Sequence, residues 1–560
     1  MNSPHERTAE DAAARRIAQL EERHAQLEER LARLEARAGH SEEERPAAAP
    51  APADDLADIE RTEAAIEFQV GQNGFAVAGI LALAIGAGFM LCLPFASLPP
   101  VAPAIAGFAI AACFFLLAHL LRRSFGLVSG NLRGAGMALL FLSTLRLYFF
   151  GAAHVLSTGT IAGCGPLALV VALNLAIAWR RRSPWLTALA LITGYGAAIA
   201  VGSAWFVLGS VAVLSALAVA TSLRADWPIL RLAAIPLSYG TYCIWAIGDP
   251  VLGGALRFTA EPALAPGLLL AVACIFAAGA LLRPNRPQED ARTAVGALLN
   301  CGLGYSLFLC HTAVAFDPGL AGAHALAAAV FLGLAVIFWA RESSRASTFF
   351  YAMTGYAALS VAILKASAAP QLFVWLSLQS VVVVTTAVWF RSRFIVVSNF
   401  LIFVAIVLGY VAVAERETGI SILFGIAALL SARILNWKKD RLELKTELMR
   451  NAYLACAFLV FPYSLYHLVP RKSVGLAWVG LALGYYAMGL YVKNRKYRWM
   501  GHATLLLTTC YVAAVGTRGF EPAYRIASFL ALGTVLVIVS LSFTRWQSRQ
   551  RAKPAAPPAG

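Results

Sequence analysis

The stretch Asn73–Leu93, "NGFAVAGILALAIGAGFMLCL", runs for twenty-one residues without a charge. As an α-helix rising 1.5 Å per residue it would span about 30 Å, the thickness of a bilayer's hydrocarbon core. It predicts a transmembrane helix. Working outward, a window of about 19 residues finds comparable apolar runs as far as the C-terminal tail, broken at charges or at Pro and Gly. Roughly eighteen candidate spans result, from 73–93 and 132–153 through 523–543. The whole chain is 59% hydrophobic and only 14% charged, which excludes a soluble globular protein of this length. The expected fold class is therefore all-α: a polytopic transmembrane helical protein with about 18 spans.

Charge sets the expected sidedness. Net charge is +16, yet residues 1–67 hold 9 basic and 17 acidic side chains, leaving +24 on the remainder. The basic excess points to the membrane rather than to nucleic acid. With the amino terminus inside, Arg180-Arg181-Arg182, Arg391 with Arg393, Lys438-Lys439 and "KNRKYR" (493–498) all fall on inner loops. The tally is about 29 basic residues on inner loops and tail against about 7 on outer ones, the bias that the positive-inside rule demands. An even number of spans with both termini cytoplasmic is expected, as is the absence of a cleaved secretory signal. The loops are too short to hold a catalytic module. The longest inner one, "LNWKKDRLELKTELMR" (435–450), reads as a solvated connector helix or as a segment lying on anionic headgroups.

Before the first span the composition changes. In "RIAQLEERHAQLEERLARLEARAGH" (16–40), Ile17, His24 and Leu31 fall at heptad position a and Leu20, Leu27 and Leu34 at d. Arg16, Arg23, Arg30 and Arg37 then sit at g, opposite Glu21, Glu28 and Glu35 at e. That pattern pairs Arg with Glu only in a parallel homodimer, so residues 1–40 are expected to form a cytoplasmic coiled coil. The competing reading is a single solvated helix. Residues 41–62, rich in Pro, Ala and acids, read as a disordered tether, 63–545 as the membrane domain and 546–560 as a disordered tail.

A pass for repeats finds Tyr148, Tyr195, Tyr239 with Tyr242, Tyr305, Tyr356, Tyr410, Tyr463 with Tyr466, and Tyr511 on the odd-numbered spans 3 to 17. Among even spans, 16 alone has tyrosines inside it. Tandem parallel hairpins of about 50 residues would produce this. So would an outer aromatic belt, although a belt should also decorate even spans. Gly480 with Gly484, and Gly130 with Gly134, have the spacing of close helix contacts.

Few residues offer chemistry. No carboxylate lies mid-span, which disfavours a proton-coupled carrier, and no metal, nucleotide or nucleophile motif occurs. No cofactor, metal or catalytic residue is expected. The nine cysteines, scattered through apolar runs, read as packing residues. Arg146 in "LLFLSTLRLYFF" lies 13 residues beyond Arg133 and would either hold an anion in a cavity or snorkel to the outer face. Asn174, Asn300 and Gln379 are interhelical hydrogen-bond donors or ligand contacts. His119, His154, His311, His467 and Lys365 lie near span ends, where headgroup-level solvation is expected.

The segments "IEFQVGQNGFAVAGILALAIGAGF" (Ile66–Phe89) and "HLLRRSFGLVSGNLRGAGMALLFLSTLRLYFF" (His119–Phe150) resemble an uncharacterised bacterial membrane protein family, domain of unknown function 2339. Where that family tends to place a Lys-Tyr pair after the first glycines, this chain reads "MLCLPFA". The resemblance implies a coiled coil, a polar tether and a long run of short-looped spans in a bacterial inner membrane, and it implies no activity. Two functional readings follow. The first is a carrier or flippase-like protein for an anionic amphiphile or small anion, using Arg146, Asn174, Asn300 and Gln379. The second is a non-enzymatic scaffold, in contact with membrane lipids and self-associating through the coiled coil; a membrane enzyme comes third.

Overall fold

The computed structural model describes residues 75–516 except 94, 96–97, 151–154, 260–262, 283–290, 316–318, 343, 414–418 and 438–446, together with 526, 529–535 and 537. The expected coiled coil, tether and tail lie outside the described residues, and with them Ile17, Leu20, His24, Leu27, Leu31 and Leu34. The chain divides into two compact units, Met1–Ala82 with Phe125–Val128, and Leu83–Ser124 with Ser129–Gly560. In the first, residues 75–82 and 126–128 are helical. The packing that follows belongs to the second.

The described residues form seventeen α-helices and no strand. They are α1 (Phe75–Cys92), α2 (Ala102–Leu120), α3 (Gly126–Arg146), α4 (Ile161–Arg181), α5 (Pro184–Val201), α6 (Ala204–Ala225), α7 (Pro228–Ala246) and α8 (Ala265–Leu281). Then come α9 (Ala291–Ala315), α10 (Leu320–Ala340), α11 (Arg345–Ala366), α12 (Gln371–Trp389) and α13 (Arg393–Val413). The last are α14 (Ile420–Trp437), α15 (Glu447–Leu468), α16 (Val474–Tyr491) and α17 (Arg495–Tyr511). Each coincides with one of the first seventeen expected spans, and the eighteenth is described only in part. Among the described residues twelve helices are long and apolar enough to cross a membrane; α1, apolar over Val77–Cys92, and α8, at 17 residues, are apolar but shorter.

One boundary moves enough to matter. The span expected at 132–153 is a helix over Gly126–Arg146, so Arg146 ends the helix instead of lying deep within it. Arg133 reads as a boundary in the sequence, yet the helix runs through it, because its guanidinium Nη2 donates to the Ala118 carbonyl 3.2 Å away.

Helix ends follow local chemistry. Thr160, Ser183, Ser344 and Asn494 cap α4, α5, α11 and α17, each side chain accepting a backbone N–H of the first turn. Prolines near the starts of α2, α5, α7 and α8 forgo a donor that the helix would not have used. Five connections from an even helix to the following odd one share a conformation, the α2–α3 connection not among them: Arg182, Asp226, Glu342, Arg391 and Lys493 are all left-handed, with φ between 49° and 53°. The next helix begins within three residues of each.

Helices pack on sequence neighbours and on second neighbours. Among odd helices α5 meets α7, α7 meets α9, α9 meets α11, α11 meets α13 and α13 meets α15; among even ones α6 meets α8, α8 meets α10 and α12 meets α14. Small residues set some of these contacts. A Cβ on Gly355 would come within 2.7 Å of Leu332, and one on Gly425 equally near Phe461. The Gly480/Gly484 pair does not act this way, since a Cβ at either would meet nothing within 4 Å. Spacing alone misled there, because the two glycines do not face a neighbouring helix.

Candidate functional site

The polar side chains inside the array fall into separate clusters. At the end of α3, Arg146 is buried at 3% exposure, and its Nη1 donates to the carbonyls of Leu91 at 2.6 Å and Leu93 at 2.5 Å. These carbonyls close α1, where the last turn of a helix has no intrahelical donor left to meet them. A cation there also opposes the negative end of the helix dipole. The ring of Phe95 lies 6.0 Å from the guanidinium carbon, and Nε has no partner.

Asn174 on α4 is fully buried, with Nδ2 donating to the Met137 carbonyl of α3 at 3.3 Å and to Thr193 Oγ1 of α5 at 3.4 Å. Asn300 on α9 is more completely engaged. It accepts from Tyr239 Oη of α7 at 2.7 Å and donates to the Ala273 carbonyl of α8 at 2.9 Å and to Tyr351 Oη of α11 at 2.8 Å. One amide thus joins four helices. Gln379 on α12 donates to the Tyr356 carbonyl of α11 at 2.8 Å and to Ser360 Oγ at 3.0 Å. The four residues proposed from the sequence as one ligand set each bond a different group of neighbours, and no two of them share a bond.

Six of the ten marked tyrosines are core groups instead of a belt, while Tyr466 is 39% exposed. Tyr148, Tyr195, Tyr239, Tyr242, Tyr356 and Tyr410 are all at most 6% exposed. Tyr195 Oη and Ser238 Oγ are 2.6 Å apart across α5 and α7; Tyr148 Oη donates to the Gly163 carbonyl, and Tyr356 Oη bonds Thr386 Oγ1 of α12. Tyr305 is half-buried, with Oη 3.1 Å from His324 Nδ1. Tyr511 fits the belt better, its Oη donating to the Arg471 carbonyl at the protein surface.

Several participants escaped sequence reading. Asn399 on α13 donates to Tyr453 Oη of α15 and to Ser380 Oγ of α12, both at 2.9 Å, and a lone Asn inside "VVSNFLIFV" was a legible signal. Tyr351, Asn399 and Tyr453 each occupy the seventh position of their helix. Arg231, buried in the first turn of α7, bonds the Gly279 carbonyl at the end of α8. His311, expected at headgroup level, is instead fully buried, 2.9 Å from Tyr242 Oη and packed by Trp245 and Phe258. Its position near a helix end suggested water, but the surrounding aromatic rings exclude it. His324 is likewise buried, its Nε2 3.1 Å from Thr312 Oγ1. His119 and Lys365 are exposed and His467 half-buried, while His154 lies outside the described residues. No described cysteine is in a disulfide, and no group of three or more metal-ligating side chains occurs among the described residues.

Cavities are small. One of about 20 Å³ is lined by Arg231, Arg292, Asn300, Ser347 and Tyr351, and one of about 70 Å³ by Tyr356, Ser360, Gln379, Ser380 and Asn399. A third, of about 210 Å³, is an apolar groove between α4, α5 and α6. Arg146 lines none of the three.

Helix after apolar helix, with polar side chains bonded to one another and leucines turned outward, defines an integral membrane protein with many membrane-crossing helices. The chain belongs to the family described as predicted membrane protein DUF2339, whose model matches residues 71–473. The match begins just before α1 and ends in the turn between α15 and α16. No curated protein and no solved structure matches the chain.

Proposed function

We propose that the protein is a non-enzymatic platform in a bacterial inner membrane, built from tandem helical hairpins, with both termini cytoplasmic and copies gathered by the parallel coiled coil of residues 1–40. One observation carries the reading: Arg146, Asn300, Gln379 and Asn399 spend their donors on backbone and side chains of neighbouring helices. Arg146 serves the end of α1, Asn300 ties four helices and Asn399 three, so these groups act as fasteners. The shared left-handed turns and the common position of Tyr351, Asn399 and Tyr453 favour a repeated hairpin. Transport of an anionic amphiphile remains the second reading, favoured by the polar cavities at Asn300 and Gln379. At about 20 and 70 Å³ they are far smaller than the 300–1,000 Å³ typical of small-molecule pockets, so carriage would need a different arrangement of helices.

Accessibility separates the two without a known substrate. In a chain whose native cysteines are replaced, Ser347→Cys and Ser360→Cys are expected to resist a membrane-impermeant maleimide in both right-side-out and inverted vesicles. Labelling of the same position from both faces would establish alternating access and reject the platform. In the same vesicles, crosslinking between copies should vanish when Arg16, Arg23, Arg30 and Arg37 become glutamate. Undiminished crosslinking removes the coiled-coil part of the reading.

A further inference from the structure

The apolar groove between α4, α5 and α6 is bounded by two walls and a floor. Ala176 and Trp179 of α4 form one wall and Leu217 of α6 the other, while buried Leu191 of α5 lies beneath. Two threonines also line it, but their hydroxyls are already used: Thr187 Oγ1 donates to the Ser183 carbonyl at 2.9 Å and Thr221 Oγ1 to the Leu217 carbonyl at 2.8 Å. Apart from the indole N–H of Trp179, the lining therefore offers hydrocarbon. The flanking surface faces lipid, since Leu169 and Val213 on the same two helices are 70% and 58% exposed.

One end of the groove is strongly basic. Arg180, Arg181 and Arg182 follow Trp179 directly and are exposed, and exposed Arg224 at the end of α6 stacks over the Trp179 ring at 4.8 Å, bridging the two walls. Residues 68–225 contain eight arginines and not one Asp or Glu. The nearest carboxylate in sequence, Asp226, follows Arg224 by two residues and leaves the four arginines net positive, and a guanidinium at the bilayer surface binds phosphate well.

We infer that this groove is a specific site for an anionic phospholipid. One acyl chain lies along Ala176, Leu191 and Leu217, and the phosphate rests on Arg180–Arg182 and Arg224 at the basic end. The inference goes beyond the platform reading and does not depend on it, because a carrier could hold the same lipid.

Native mass spectrometry of the purified full-length protein, exchanged into detergent with equal amounts of phosphatidylglycerol and phosphatidylcholine, tests the site. The wild type should retain phosphatidylglycerol in preference. Replacing Arg180, Arg181 and Arg182 together by Gln should lower that retention on the order of tenfold, and the corresponding Lys variant should restore most of it. Ala176→Phe, which fills the groove and leaves the arginines in place, should lower it as well. Thermal melting in lipid-free detergent verifies that each variant is folded, and a variant that fails this check is replaced by Arg224→Gln or Leu217→Phe. Equal retention of the two lipids by the wild type overturns the inference. So does retention that survives either the Gln substitutions or the filled groove.

Discussion

The end of α3 and the middle of α9 solve the same problem by different means. At both a strongly polar side chain is buried among apolar helices, Arg146 at 3% exposure and Asn300 at 1%. Arg146, which can only donate, finds backbone carbonyls. Asn300, which donates and accepts, finds two tyrosines and one carbonyl. The difference is one of position. A mid-helix carbonyl offers only its second lone pair, so an arginine that spends its donors on backbone is best placed beside a helix end, where the last carbonyls lack intrahelical partners. Arg133 on Ala118 of α2 and Arg231 on Gly279 of α8 obey the same rule, each reaching the last turn of another helix. Amides are less restricted: Asn174, Asn300 and Gln379 each donate to one mid-helix carbonyl and also bond side chains on neighbouring helices.

If that account is right, Arg146→Ala should be the most damaging single change. It strips two charge-assisted bonds from the carbonyls of Leu91 and Leu93, the first of them buried, and should cost about 3 kcal/mol. The loss is measurable as a lowered unfolding midpoint in mild detergent, with early proteolysis within α1. Arg146→Lys should recover part of it, since an ammonium keeps the charge and several donors but carries them on a shorter side chain. A midpoint unmoved by Arg146→Ala would mean that the end of α1 does not depend on the guanidinium.

Asn300→Ala comes next. Interhelical hydrogen bonds between side chains in membranes are worth about 0.6 kcal/mol each on average, so losing three should cost about 2 kcal/mol. The same substitution at Asn174 removes two longer bonds, at 3.3 and 3.4 Å, and should cost visibly less in the same unfolding assay. A reversed order would show that hydrogen-bond geometry does not rank these sites.

The contrast also explains what the sequence could disclose. Helix positions were legible because apolar runs and charged turns locate them directly, and all seventeen described helices lie where a span was expected. Partnership was not legible. Arg146 acts on residues 53 and 55 positions away, and Asn300 on a tyrosine 61 positions before it. Nothing local to either residue encodes those distances. Hydropathy also misjudged position within a span: Arg133 looked like a terminus because its charge was counted while its carbonyl partner was invisible. His311 looked solvated because only its distance from the helix end was available, not the Tyr242, Trp245 and Phe258 rings around it.

The smallest effect is expected within the Asn300 cluster, where it sharpens the contrast. Ser347 lines the same cavity as Asn300 and Tyr351 and is fully buried, yet its hydroxyl oxygen has no hydrogen-bond partner. A buried polar atom without a partner carries its desolvation cost with no return, so Ser347→Ala should leave stability within about 0.5 kcal/mol of wild type or raise it slightly. Tyr453→Phe, which removes a hydroxyl bonded to Asn399 at 2.9 Å, should lose about 1 kcal/mol in the same assay. If the two substitutions cost the same, hydroxyl removal in this array is insensitive to partnership, and the fastener role assigned to the tyrosine–asparagine pairs would fail with it.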